Sequence, residues 1–201
     1  MSNIKRNFVS NYFDNKTGDA LRNTITKNWN STDHHLKLLN INKNSKRILE
    51  VGCGIGRLLK ELAKSKELCV GFDASNSMIK EGKVYCNLEN IKLYNCSGDG
   101  TLQYNDSSFD YAFSFITFQH IPNTNAVTKY ISEMYRLLQN DGEIKIQFLS
   151  NDEFPGKETW TYHNLDDIES FMKKIGFSSI KRENINRWTF IYAIKNNSSN
   201  R

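Results

Sequence analysis

The chain has 201 residues, with 27 Lys and Arg against 22 Asp and Glu, a net charge of +5, and 38% hydrophobic residues of which many are aromatic. That length fits one domain, and that apolar content supports a sizeable core, which excludes disorder throughout even at a mean hydropathy of -0.60. No apolar run reaches the length of a signal peptide or a bilayer span, so the sequence predicts a protein of the cytoplasm with no membrane span.

From Asp19 to Trp29 the residues Leu21, Ile25 and Trp29 recur at helical steps, and Leu36, Leu38, Leu39 and Ile41 suggest a second short helix. Together they predict an N-terminal helical cap over residues 1–44, in which Tyr12, Phe13 and Trp29 are candidates for a lid. Arg47 to Val51 then reads as a strand running into the turn Gly52-Cys-Gly-Ile-Gly56, followed by a helical stripe of Leu58, Leu59, Leu62 and Ala63. Leu68 to Phe72 is a second strand ending at Asp73, and Ser75 or Ser77 can cap the helix that begins with Met78 and Ile79. Ile91 to Cys96 is a third strand. Phe109 to Phe118 is apolar almost without alternation, which suits a parallel strand buried on both faces at the centre of a sheet.

After Pro122, Asn123 or Thr124 can cap a helix carrying Val127, Ile131, Met134 and Leu138, with Asn140-Asp-Gly142 ending it and Glu143 to Leu149 forming the fifth strand. A polar and aromatic loop, Ser150 to Asn164, precedes a helix over Leu165 to Ile175 that Gly176 stops. Strands near Ser178 to Lys181 and Trp188 to Ile194 close the domain. Strands alternating with helices predict a doubly wound, mostly parallel α/β sheet of seven strands over residues 45–195, with a frayed tail at 196–201.

Such sheets bind ligands beyond the carboxyl ends of their strands, where strand order reverses. Glycines at 52, 54 and 56 remove three side chains there and let backbone approach a ligand closely. A dinucleotide fingerprint would place glycine where Arg57 stands, and a phosphate-binding GxxxxGK[ST] loop is absent. Asp73 can accept from both hydroxyls of a ribose, and Asp99 from an exocyclic amine, so a nucleoside fits. Glu50, Asp73 and Asp99 together make an acidic rim that favours a cationic ligand over a phosphorylated one. The cysteines Cys53, Cys69, Cys86 and Cys96 form no CxxC pair, and the four histidines no HxxxH pair, so no metal is expected.

In these segments the chain resembles the class I S-adenosylmethionine-dependent methyltransferases, in particular their ubiquinone-methyltransferase-like small-molecule type. Ile48 to Arg57 is similar to the family's first motif, Asp73 with Ala74 to its ribose-binding acid, and Asp99 with Gly100 to its adenine-contacting pair. Met78 resembles the apolar residue that packs on adenine. Phe109 to Phe115 and Phe118 to Pro122 resemble the fourth strand and its loop, and Leu137 to Gly142 the turn before the fifth. Leu102-Gln-Tyr104 departs from the pattern, since relatives usually carry a proline there. The resemblance implies a Rossmann-like fold, S-adenosyl-L-methionine as cofactor with S-adenosyl-L-homocysteine as product, and a cofactor site of Glu50, Gly52, Cys53, Gly54, Gly56, Asp73, Ala74, Met78, Asp99, Gly100 and Phe115.

Methyl transfer is an in-line displacement at an activated carbon, so alignment and water exclusion are the main work and a base is optional. His120 lies in the loop after the central strand and is the candidate base, which tips the choice of acceptor atom from nitrogen towards oxygen. Phe154, Trp160, Tyr162 and His163 are candidates for lining a small-molecule acceptor pocket, or for packing a long connection. The positive charge falls in short clusters, Lys43 with Lys46 and Arg47, Lys173 with Lys174, and Lys181 with Arg182, which read as solvated surface and argue against nucleic acid. Methylation of RNA or protein, a nucleotide-dependent oxidoreductase, and a non-catalytic cofactor-binding subunit are the competing readings; monomer and homodimer are both compatible with the sequence.

Overall fold

The computed structural model describes Gly18, residues 32–150 and residues 160–196. The helix expected over Asp19 to Trp29, the lid candidates Tyr12, Phe13 and Trp29, and Phe154 of the aromatic loop lie outside these residues, as does most of the tail. The described chain runs α1 (Thr32–Leu39), β1 (Arg47–Val51), α2 (Arg57–Leu62), β2 (Leu68–Asp73), α3 (Asn76–Tyr85), β3 (Ile91–Asn95) and β4 (Phe109–Ser114). A short 3-10 helix (Phe118–His120), α4 (Thr124–Leu137), β5 (Leu138–Leu149), α5 (Leu165–Ile175), β6 (Phe177–Ile185) and β7 (Trp188–Lys195) complete it.

The seven strands form one sheet in the order β3-β2-β1-β4-β5-β7-β6. All pairings are parallel except those of β7 with β5 and β6, because β6 and β7 form a hairpin with no helix between them. β4 is the middle strand, as its unbroken apolar run predicts. The chain steps outward from β1 to β3 and then returns to the other side of β1 for β4. Strand order therefore reverses between β1 and β4, and in sheets of this kind the ligand cleft lies beyond the carboxyl ends of the strands at that point.

Two cores cover the two faces. On one, Val127, Ile131, Met134, Leu137, Ile168 and Met172 of α4 and α5 pack against Leu49, Val70, Ala112, Ile144 and Ile146. On the other, Leu39, Leu58, Leu59, Leu62 and Ile79 of α1, α2 and α3 pack against Ile48, Cys69, Tyr111, Phe113 and Phe190. Leu and Ile side chains buried to this degree each stabilise the fold by about 1.5–3 kcal/mol, and alternation along each strand divides them between the faces.

Local signals act where the sequence places them. Ser75 accepts from the Met78 N–H at 3.2 Å and Asn123 from the Asn125 N–H at 2.9 Å, capping α3 and α4. Gly176, at φ 113°, stops α5. Two boundaries differ from expectation. α4 ends at Leu137 and β5 begins at Leu138, so Asn140-Asp-Gly142 is not a turn between elements; it is an irregularity inside β5, where pairing shifts between Phe109 and Tyr111 and Asp141 takes φ 61°. β4 stops at Ser114, four residues before the apolar run does, because Ile116 turns into the left-handed region at φ 55°. The departing Leu102 to Tyr104 segment is tied down without a proline: Arg136 donates to the carbonyls of Leu102 and Tyr104, and Glu133 accepts from the Leu102 N–H. Among the described residues no helix is long and apolar enough to cross a membrane.

Candidate active site

The glycine turn joins β1 to α2 at the lip of the cleft. Gly52, Gly54 and Gly56 all have positive φ, at 77°, 54° and 78°. They differ in what surrounds them. A Cβ on Gly52 would lie 2.1 Å from Thr117 Oγ1, and one on Gly56 2.7 Å from Cys86 Sγ, so both are fixed by packing. Among the described residues, a Cβ on Gly54 would meet nothing nearer than Met78 Sδ at 3.9 Å. Gly54 thus faces open space among them, and Met78, itself buried, stands across from it. The N–H groups of Gly52 and Cys53 both donate to Phe72 O, at 2.7 and 3.1 Å, which stitches the turn to the end of β2.

Asp73 completes that stitching. Its Oδ2 accepts from Gly54 N and its Oδ1 from Ser75 N, each at 2.8 Å. These two bonds hold the carboxylate at the carboxyl end of β2, against the glycine turn. Ala74, next to it, is exposed at the cleft.

Glu50 lies two positions before Gly52 and is buried, with 3% of its surface exposed. Its Oε2 has no hydrogen-bond partner among the described residues. Burial pushes its carboxyl well above the ordinary range, and the neighbouring Asp73 adds to this while Arg57 opposes it. A cationic group brought into the cleft would give this oxygen a partner. A donor with an ammonium and a ribose therefore fits Glu50, Gly54 and Asp73 together.

Arg57, read from the sequence only as a mismatch to a dinucleotide turn, is a buried clamp. Its guanidinium donates to Thr32 Oγ1 at 2.6 Å and lies 3.0 Å from His35 Nδ1, tying the start of α1 to the start of α2. Burial and the Arg57 charge lower the His35 pKa to about 4, so the ring is neutral and its Nδ1 accepts from Arg57. His35 also packs against Phe115 and Trp188, with ring centroids at 4.8 and 5.9 Å. Nothing in the spacing of Thr32, His35 and Arg57 signals this contact.

The remaining sequence candidates fall into two groups. Asp99 sits at the cleft with its carboxylate shared among Ser97, the Thr101 N–H and hydroxyl, and Lys129 Nζ at 2.9 Å. These partners, Ser97 and Lys129 foremost, hold it well below the usual carboxylate range. The rim is therefore less acidic than its formal charges suggest: Lys129 neutralises Asp99, and burial favours a protonated Glu50. Gly100, at φ 98°, is required by α4, since a Cβ there would lie 2.7 Å from Lys129 Cβ. Phe115 turns its ring into the core against His35, Trp188 and Phe190. The thiols are inert: burial pushes Cys53 well up, and Cys69 and Cys86 to about 12.

Beyond β4, His120 ends the 3-10 helix, and its Nε2 lies 3.4 Å from Gln119 Nε2. Gln119 Oε1 in turn accepts from Gln147 Nε2 at 3.4 Å, and Gln147 Oε1 accepts from the Ile116 N–H at 2.7 Å. His163 is buried, with Nε2 3.2 Å from Phe118 O and Nδ1 3.2 Å from Thr124 Oγ1, so it anchors the loop. Trp160 and Tyr162 pack, partly buried, against the α1 and α2 core. Among the described residues no group of three His, Cys, Asp or Glu side chains could hold a metal ion.

Residues 48–142 match a family profile described as a methyltransferase domain. The chain is 27% identical over 163 residues to phosphoethanolamine N-methyltransferase 2 of Caenorhabditis elegans, covering 71% of this chain and 35% of that protein. The structure of Haemonchus contortus phosphoethanolamine N-methyltransferase 2 in complex with S-adenosyl-L-methionine superposes with a TM-score of 0.68 at 22% identity, over 84% of this chain and 53% of the other. Magnesium protoporphyrin IX methyltransferase from Synechocystis PCC 6803, with S-adenosylhomocysteine bound, gives a TM-score of 0.67 at 17% identity, over 96% and 98% of the two chains. The chain thus spans about a third of the curated nematode relative and about half of the solved one.

Proposed function

Because the chain belongs to the class I S-adenosylmethionine-dependent methyltransferases, we propose that it transfers the methyl group of S-adenosyl-L-methionine to a nitrogen of a small-molecule acceptor, releasing S-adenosyl-L-homocysteine. The observation that carries this reading is the buried Glu50 Oε2, unpartnered among the described residues, on the strand that leads into the glycine turn, with Asp73 2.8 Å from Gly54 N in the same turn. The donor, when bound, supplies a methyl carbon on a positively charged sulfur that leaves as a neutral thioether.

The chain's own residues then have distinct tasks. Glu50 takes the ammonium of the methionine part and Asp73 the ribose hydroxyls, while Gly54 leaves room for the backbone to come close. Met78 offers an apolar surface to the base, and Asp99 presents its outer edge to the adenine amine. The burial of Phe115 and Phe118 beyond β4 keeps water out of the adjoining core. With the donor bound, an acceptor nitrogen held in the cleft would take the methyl group as the neutral thioether leaves, and the resulting ammonium would lose its proton to water. No dedicated base is needed for an amine.

Two observations support nitrogen over oxygen. The Gln119 amide nitrogen lies 3.4 Å from His120 Nε2, which supports an orienting role for His120 over proton removal. The nematode relative is named as an N-methyltransferase. A small acceptor is supported by the pairing of the basic clusters: Lys46 with Glu67, and Arg182 with Asp166 and Glu169.

Calorimetric titration with S-adenosylmethionine, S-adenosylhomocysteine and NAD in parallel tests the cofactor. Micromolar binding of the two adenosyl ligands, lost in Asp73→Ala, is expected; binding of NAD alone, or of none, overturns the reading. Transfer of a labelled methyl group to ethanolamine-type amines, set against phenols and sugar hydroxyls, then tests the acceptor atom.

A further inference from the structure

A fully buried glutamine, Gln147 on β5, reaches the loop beyond β4. Its Oε1 accepts from the Ile116 N–H at 2.7 Å, and its Nε2 donates to Phe148 O at 2.6 Å and to Gln119 Oε1 at 3.4 Å. Ile116 is β-branched and sits at φ 55°, a conformation that persists only where surrounding contacts hold it. The residue after it, Thr117, occupies the space a Cβ on Gly52 would need, and its hydroxyl donates to Gly52 O at 3.3 Å.

We infer that Gln147 is a positioning residue for both lips of the cleft, holding the glycine turn through Ile116 and Thr117 and holding His120 through Gln119. Each amide in the chain is fixed by the one before it. The Ile116 N–H requires the oxygen of Gln147 on its side, so the nitrogen of Gln147 faces Gln119. Gln119 must answer with its oxygen, and its nitrogen is left facing His120 Nε2. That nitrogen then accepts, and the proton of the neutral ring resides on Nδ1. An imidazolium would set two donors against each other at this contact, so the Gln119 amide favours the neutral ring.

The half that concerns the glycine turn rests on the proposed cofactor; the half that concerns His120 does not. The experiment uses the full chain, labelled with 15N, and reads the tautomer and titration of His120 by NMR, with His120→Asn assigning the signal. S-adenosylhomocysteine affinity is measured in parallel by calorimetry. Wild type is expected to show the Nδ1–H tautomer and to stay neutral below the ordinary midpoint. Gln119→Met should remove this donor from His120 Nε2, moving the ring's titration towards the ordinary value while leaving S-adenosylhomocysteine affinity within about twofold. Gln147→Met should change the ring in the same way and also weaken S-adenosylhomocysteine about tenfold, the loss of one buried hydrogen bond.

Adding Ile116→Gly to Gln147→Met should restore affinity, or folding if the single variant loses it, because glycine adopts positive φ without support. His120 should remain released in that double variant. Unchanged His120 behaviour in Gln119→Met and Gln147→Met overturns the inference for the acceptor side. Unchanged affinity in Gln147→Met, or failure of Ile116→Gly to rescue, overturns it for the cofactor side. Failure of wild type to bind S-adenosylhomocysteine overturns the proposed function instead, and the His120 comparison stands apart from it.

Discussion

Asp73 holds Gly54 by a 2.8 Å hydrogen bond from the glycine N–H to its Oδ2, and so the residue assigned to the ribose also shapes the turn assigned to the methionine part. Asp73→Ala removes both functions. A hydrogen bond to a charged group contributes about 1.5–3 kcal/mol, so S-adenosylhomocysteine affinity should fall by about 10–100-fold in calorimetry. Asp73→Asn should lose less, because one amide oxygen can still accept from the Gly54 N–H.

Two glycines of the same turn should respond in opposite ways. Gly52→Ala drives a Cβ to 2.1 Å from Thr117 Oγ1 at φ 77°, and should destabilise the fold by about 2–4 kcal/mol, read as a lowered denaturation midpoint. Among the described residues Gly54→Ala meets only Met78 Sδ at 3.9 Å, so the cost is that of the left-handed backbone, about 1 kcal/mol. Its new methyl group stands where the ligand approaches, and the affinity for S-adenosylhomocysteine should fall much further than the stability.

His35 makes stability depend on pH in a defined direction. Its folded pKa is about 4, below the ordinary 6.5 of the unfolded chain. Between these values the unfolded state binds more protons, so stability is fully present above about pH 6.5 and falls as pH drops towards 4. With solvent screening allowed for, the loss is on the order of 1 kcal/mol. Urea denaturation at pH 7.5 and 5.5 should show it in the wild type and a smaller change in His35→Gln; equal slopes in the two proteins would reject the assignment.

Glu50 predicts the pH dependence of cofactor binding. Burial holds its carboxyl protonated to a higher pH than usual, and a bound ammonium favours the charged form. Binding should therefore release a proton, and affinity should rise with pH until the raised pKa is passed. Calorimetry in buffers of different ionisation heat measures the release. In Glu50→Gln the release should vanish, and affinity should drop about tenfold.

Much of this protein follows from local rules. The period of apolar residues gives β1 to β7 and the described helices, because alternation and 3.6-residue steps are properties of backbone geometry. The caps at Ser75, Asn123 and Gly176 obey side-chain chemistry that needs no neighbour, and the acids and glycines at the strand ends are local in the same sense. What the tertiary structure decided involves partners far apart in the chain. Arg57 meets Thr32 and His35 only when α1 lies against α2. Ile116 ends β4 early because Gln147, thirty-one positions later on β5, captures its N–H. Asp99 is neutralised by Lys129 of α4, and Gly100 is demanded by that helix's packing. Sequence alone determined which elements form and which end of the sheet carries chemistry, since those depend on composition and spacing along the chain. The directions of His120, Glu50 and Phe115 were decided by what the fold brings against them, because hydrogen bonds and desolvation depend on distance in space.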